Sequence, residues 1–125
     1  MGQNCERPLT PEDIIWVLNR TNLCSLSVAE ENQPYVIPMF YTYCADQNQI
    51  TFTLLSHSTG LKMRCMHVNN QVCLNVMVPV RGGYASVVAF GLAAICCIGV
   101  DDCYNKREEI QILVTDITGR FIPSC

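Results

Sequence analysis

The sequence predicts a mainly-β fold: six antiparallel strands able to close a small barrel, accompanied by two short helices. Three observations lead there. Apolar, β-branched and aromatic residues recur at period two in several separate runs. The breaks between runs are short and polar, such as "AEENQ" and "CADQNQ", which favours antiparallel neighbours joined as a meander. Closing six such strands, with a long and bent fifth one, removes exposed edges.

The elements follow in order. Residues 9–20, "LTPEDIIWVLNR", read as a helix: Thr10 suits the N-cap, Pro11 the first helical position, and Asp13 the acid of a capping box. Glu12 and Asp13 complement the helix dipole, and Ile14, Ile15, Val17 and Leu18 supply an apolar face. Strands follow at Leu23–Val28, Pro34–Tyr43 and Ile50–Leu55. Pro38 cannot donate to a ladder, so it marks an edge, a bulge or a place where pairing stops. Residues 59–69, "TGLKMRCMHVN", read as the second helix. Gln71–Val80 returns to strand, "RGG" turns, and a long strand follows over 84–98. "IGVDDCYNKRE" reads as a loop before the closing strand Glu109–Ile117.

One segment requires a membrane test. Residues 82–100 carry no formal charge, and their length approaches the roughly 20 residues of a spanning helix. Tyr84, Val88, Phe90 and Leu92 are large while Ala85, Ala89, Gly91 and Ala93 are small, an alternation that favours a strand with one bulky and one flat face. No membrane partner is therefore expected. A single domain with one core is expected from the length, with half the residues hydrophobic and 15% charged. A net charge of −3 and scattered basic residues argue against a nucleic-acid surface. The N-terminus has no apolar run, and nine cysteines, an odd number, fit reduced thiols in a bacterial cytoplasm.

The stretch "LLSHSTGLKMRCMH" is different in texture. A strand ending in Ser56, His57, Ser58, Thr59 and Gly60 and entering a helix gathers hydroxyls and free N–H groups at a helix N-terminus, with Lys62 in the first turn. That arrangement attracts an anion such as a phosphate. The plainer alternative is that Ser58 or Thr59 caps the helix and Lys62 is solvated.

"QPYVIPMFYTY", then "ITFTLLSHSTGLKMRCMHVNNQVCLNV", then "YASVVAFGLAAI" and the closing "ILVTDITGR" together resemble the FMN-binding split-barrel family, in its branch of pyridoxamine 5'-phosphate oxidase-related and nitroimidazole-resistance-like proteins. The resemblance spans about residues 9–120. It implies a six-stranded antiparallel split β-barrel, a homodimer, and FMN in a cleft between two subunits. It also implies an oxidoreductase passing electrons from a reduced nicotinamide or another donor to a small acceptor. By the same resemblance, Lys62 lies near the flavin phosphate, and Ser56, His57 and Ser58 fall on the loop around phosphate and ribityl chain. Val36, Ile37, Pro38, Met39 and Phe40 form the strand whose backbone follows the isoalloxazine edge. Thr53 and Leu54 lie beside the ribityl chain, and Ser86 faces the flavin.

The chain departs from the pattern at Leu61 and Ala85, where basic residues are usual, and it is shorter between Ile98 and Glu109. Each lost charge would weaken phosphate binding by about 1.5–3 kcal/mol if charge-assisted, with Arg64 and Arg81 as conceivable substitutes. FMN is expected to be retained. No residue stands out as a catalytic acid or base; His57 reads either as a flavin contact or proton source, or as a loop histidine bonded to backbone. Cys65 and His67 alone do not make a metal site, and Cys96, Cys97 and Cys103 lack the paired spacing of one and fit a small-hydrophobe role. Two rival classes stay open: a flavin- or haem-binding module without turnover, and a barrel dimer without cofactor.

Overall fold

The computed structural model describes residues 6–56, 66, 69–100 and 106–124; for Glu30, Ser56, 96–100 and 106–108 it describes the backbone alone. Strand β1 (Arg7–Pro8) precedes helix α1 (Pro11–Arg20). Strands β2 (Leu23–Glu30), β3 (Gln33–Asp46), β4 (Gln49–Ser56), β5 (Gln71–Val80), β6 (Gly83–Val100) and β7 (Lys106–Pro123) follow. All pairings are antiparallel, and the order β7-β4-β3-β2-β5-β6 returns to β7, closing a ring of six strands with β1 added at the far end of β7.

Local chemistry accounts for the joints. Thr10 accepts from the Asp13 N–H at 3.1 Å while Asp13 reaches back to the Thr10 N–H at 3.4 Å, the expected capping box. Gln47 and Asn48 both have positive φ, 51° and 66°, as a two-residue type I′ hairpin between β3 and β4 requires. Tyr41 plugs the other end of α1: its buried hydroxyl donates to the Leu18 carbonyl at 2.8 Å, with the Thr21 carbonyl 3.0 Å away. This satisfies carbonyls that the last helical turn leaves unpaired and fixes the helix against the barrel mouth.

The alternation read from the sequence governs the interior. Leu26, Phe52, Leu54, Leu74, Val76, Val87, Ile110 and Ile112 point inward and are sealed from solvent. The flat face of β6 also points inward, with Ala85, Ala89 and Gly91 buried. The charge-free segment over 82–100 is thus a strand apart from its opening turn, and no described helix is long and apolar enough to cross a membrane.

Three expectations change. A seventh strand, β1, exists; two residues, one of them proline, carry no periodicity to announce it. The loop expected over 98–108 is shorter, because β6 and β7 keep pairing past a register shift at Cys97/Gly99 as far as Val100 and Lys106. The second helix, over 59–69, lies mostly outside the described residues; Met66 alone is described as helical, and it is buried.

Burial pushes the Cys24 thiol up to about 11. Tyr41 rises to about 12, through burial first and then through its neighbours Cys24 and Tyr43. In the unfolded chain Cys24 releases its proton near its ordinary value of 9.0, well before the folded chain does. The stabilising contribution is therefore whole below about pH 9 and is lost as pH rises through about 11. Urea midpoints measured across this window should fall steadily, and Cys24→Val should fall less steeply over the part below about pH 11.

Candidate functional site

The ring parts at β3. Its first half, Gln33 to Phe40, pairs with β2; its second half, Tyr41 to Asp46, pairs with β4. The Tyr41 N–H donates to the Asn22 carbonyl at 2.8 Å, which makes Tyr41 and Asn22 a hydrogen-bonded pair. Antiparallel ladders alternate, so Met39, Ile37 and Tyr35 also spend their backbone groups on β2. Pro34, Val36, Pro38 and Phe40 turn theirs away, towards an edge that no described strand occupies. Pro38 thus lies on an edge, as its missing N–H foretells, and Pro34 lacks a donor on the same side. What this edge offers is the carbonyls of Pro34, Val36 and Pro38 and the N–H groups of Val36 and Phe40.

Beside the change of partner, the outer surface of the barrel holds a groove of about 670 Å3. Phe40 and Thr42 of β3 and Thr53 and Leu55 of β4 line it, with Glu109 of β7 across and Asn22 at one end. Period two puts these side chains outward: Thr42 stands opposite Thr53, and Leu55 opposite Glu109. Phe40 is 68% exposed and Leu55 45%, so the groove has a large apolar wall open to solvent. Glu109 is held by Gln111, whose amide donates to it at 2.6 Å.

The expected site residues distribute unevenly. Val36, Pro38 and Phe40 reach the free edge, and Phe40 and Thr53 also line the groove. Met39 and Leu54 face the interior, at 8% and 0% exposure, and Ile37 packs against the core. Their backbone groups belong to the ladders, so the edge contribution of the run 36–40 narrows to its even members. Ser56 closes β4 opposite Glu108. His57, Ser58 and Lys62, together with the loop and helix start that carry them, lie outside the described residues. Ser86 is half-buried on β6, where the Asn75 amide donates to its hydroxyl at 2.8 Å and to the Val87 carbonyl at 2.9 Å. Ser86 does not line the groove: between it and β3 stand β2 and β5. Arg81 sits in the turn between β5 and β6, also away from the groove.

Sequence reasoning missed Asn22, Tyr41, Thr42, Leu55 and Glu109 of the groove, and Asn75 beside Ser86. For Leu55 the signal was present, since period two through "ITFTLL" puts Leu55 on the face of Thr53 and Thr51. Glu109 and Asn22 join the groove only through pairing between distant segments, which no local pattern encodes. Two described cysteines, Cys24 and Cys73, have thiols that burial raises above the ordinary value, which disfavours a reactive role.

Comparison with known proteins follows the same lines. No curated protein matches the chain. Among solved structures, an FAD-binding protein from Mesorhizobium loti aligns with a TM-score of 0.78 at 23% identity, covering 93% of this chain and 96% of that one. An FAD-binding protein from Mycobacterium smegmatis aligns with a TM-score of 0.64 at 19% identity, covering 93% and 97%. A candidate 5-nitroimidazole antibiotic resistance protein from Bacteroides thetaiotaomicron aligns with a TM-score of 0.69 at 18% identity, covering 94% and 89%. These likenesses concern the fold, and they make the parted ring a split barrel. The family model described as pyridoxamine 5'-phosphate oxidase matches residues 10–120, nearly the whole ring, and on that match the chain belongs to the pyridoxamine 5'-phosphate oxidase family.

Proposed function

We propose that this chain binds FMN as a homodimer and serves as a cytoplasmic flavin-dependent oxidoreductase, passing electrons from a reduced nicotinamide or another donor to a small acceptor. The observation that carries the reading is the free edge of β3 lying beside an apolar groove. An isoalloxazine ring is a flat apolar body with a polar rim of carbonyls around an N–H. The groove, at about 670 Å3, falls within the roughly 300–1,000 Å3 of small-molecule sites. Phe40 and Leu55 supply apolar wall, and the Val36 and Phe40 N–H groups and the Pro38 carbonyl supply partners for the rim. Bound FMN would bring the hydride and electron chemistry; the chain would bring position and electrostatics.

The dimer rests on two supports. Val36, Phe40, Met77, Phe90 and Leu113 leave large apolar surfaces on the outside of the barrel, of the kind that association covers. Ser86, separated from the β3 edge by two strands within one chain, could meet a flavin at the edge of a second copy. The phosphate would fall to the segment with Ser56, His57, Ser58 and Lys62.

Purified protein should show flavin absorbance or acquire it on titration with FMN, and should oxidise reduced nicotinamide when loaded. Val36→Pro tests the edge directly, since it removes one of the two free N–H groups there while sparing the β2 ladder. It should weaken FMN binding about tenfold with little change in melting; Lys62→Ala should do at least as much. A colourless protein without FMN affinity would leave a barrel dimer without cofactor, and pigment without nicotinamide oxidation would leave a binding module.

A further inference from the structure

At the end of the barrel closed by α1 lies a second cleft, of about 270 Å3, which shares no lining residue with the groove. Val17, Val80 and Ala85 make its floor apolar, and Trp16 of α1 and Phe121 of β7 add aromatic walls. Arg7 of β1 and Arg81 of the β5–β6 turn line it as well. The one carboxylate in the lining, Asp13, is engaged in the capping box of α1. In a chain of net charge −3, this cleft gathers two cations against one committed anion.

Arg7 is held in place by its side chain, and Arg81 is anchored through its backbone. The Arg7 guanidinium carbon stands 4.9 Å from the centroid of the Phe121 ring. Contact of this kind occupies the face of the guanidinium and leaves its in-plane N–H fork for a carboxylate. Arg81 occupies the first position of a two-residue hairpin turn whose second, Gly82, adopts φ 85°, so the turn fixes where its side chain begins. A cation already oriented loses less conformational freedom when a ligand arrives.

We propose that this cleft binds a small aromatic carboxylate, with its ring against Trp16 and Phe121 and its carboxylate on Arg7 and Arg81. The size selects a single ring: the cleft falls just below the roughly 300–1,000 Å3 typical of sites for larger ligands. The apolar floor excludes a fully hydrated anion, and the arginine pair disfavours an uncharged ring.

Trp16 is the only tryptophan in the chain, so its emission reports on this cleft alone. Full-length protein is titrated with benzoate, with benzamide as the uncharged counterpart and acetate as the ringless one, and calorimetry runs alongside. Benzoate should change Trp16 emission saturably, and benzamide and acetate should each bind at least about tenfold more weakly. Arg81→Gln alters an exposed turn residue, so it should keep the wild-type melting temperature and lose at least about tenfold in benzoate affinity. Arg7→Gln should show the same loss, and Arg81→Gln carries the test if β1 loosens. The proposal is overturned by an absence of saturable response to benzoate, by equal affinity for benzamide, or by unchanged affinity in Arg81→Gln.

Discussion

Phe52→Ala is expected to lower the unfolding free energy by about 3–5 kcal/mol, the range for truncating a fully enclosed aromatic ring. Phe52 is wholly buried in β4, and its ring meets that of Tyr41 edge-on at 5.4 Å between centroids, with Tyr43 at 6.2 Å. The barrel strands are tied to one another around the ring, so they cannot collapse freely into the space left behind. Tyr41 would lose the surface that orients it, although its hydroxyl secures the end of α1 and the residue itself lines the outer groove. A lower denaturant midpoint with an unchanged slope would report the loss of stability. Phe52→Leu, which keeps most of the volume, should recover more than half of it.

Gly91→Ala should cost about 1–3 kcal/mol, towards the upper end. A Cβ built at Gly91 would stand 2.5 Å from the Leu113 carbonyl oxygen and 2.7 Å from Ile112 Cγ2. One obstacle is backbone, and the other is a fully buried core side chain, so neither can step aside cheaply. The position coincides with a bulge: Phe90 pairs with Asp116 and Gly91 with Val114, leaving Thr115 over. Thr115 fastens the bulge by donating its hydroxyl to the Phe90 carbonyl at 3.1 Å. Thermal melting of Gly91→Ala beside Ala89→Gly separates the two effects, since the second merely removes a methyl group.

The fold was legible where local chemistry and tertiary structure agree. Thr10, Pro11 and Asp13 announce the helix start without reference to anything distant, and the structure realises each role. β5 falls exactly over Gln71–Val80 because both its ends carry turn signals. β7 runs well beyond the predicted Glu109–Ile117, since its flanks hold charged and glycine residues that read as loop and become strand only by pairing along β6. The site was legible to a smaller degree. Pro38 marked an edge from sequence alone, but which neighbours share that edge depends on the phase of the ladder, set by the Tyr41–Asn22 hydrogen bond. Period two had already divided Phe40 from Met39, and it is the ladder phase that gives the division its meaning for the backbone.

The open seam of β3 carries a hazard that its prolines defuse. Four successive outward positions would ordinarily invite a foreign strand to zip alongside, and the exposed Val36 and Phe40 side chains would strengthen that invitation. With proline at two of the four, an incoming strand finds half of its required donors missing and cannot propagate a ladder. The protein can therefore leave backbone available to a small ligand without becoming a nucleus for sheet-like aggregates.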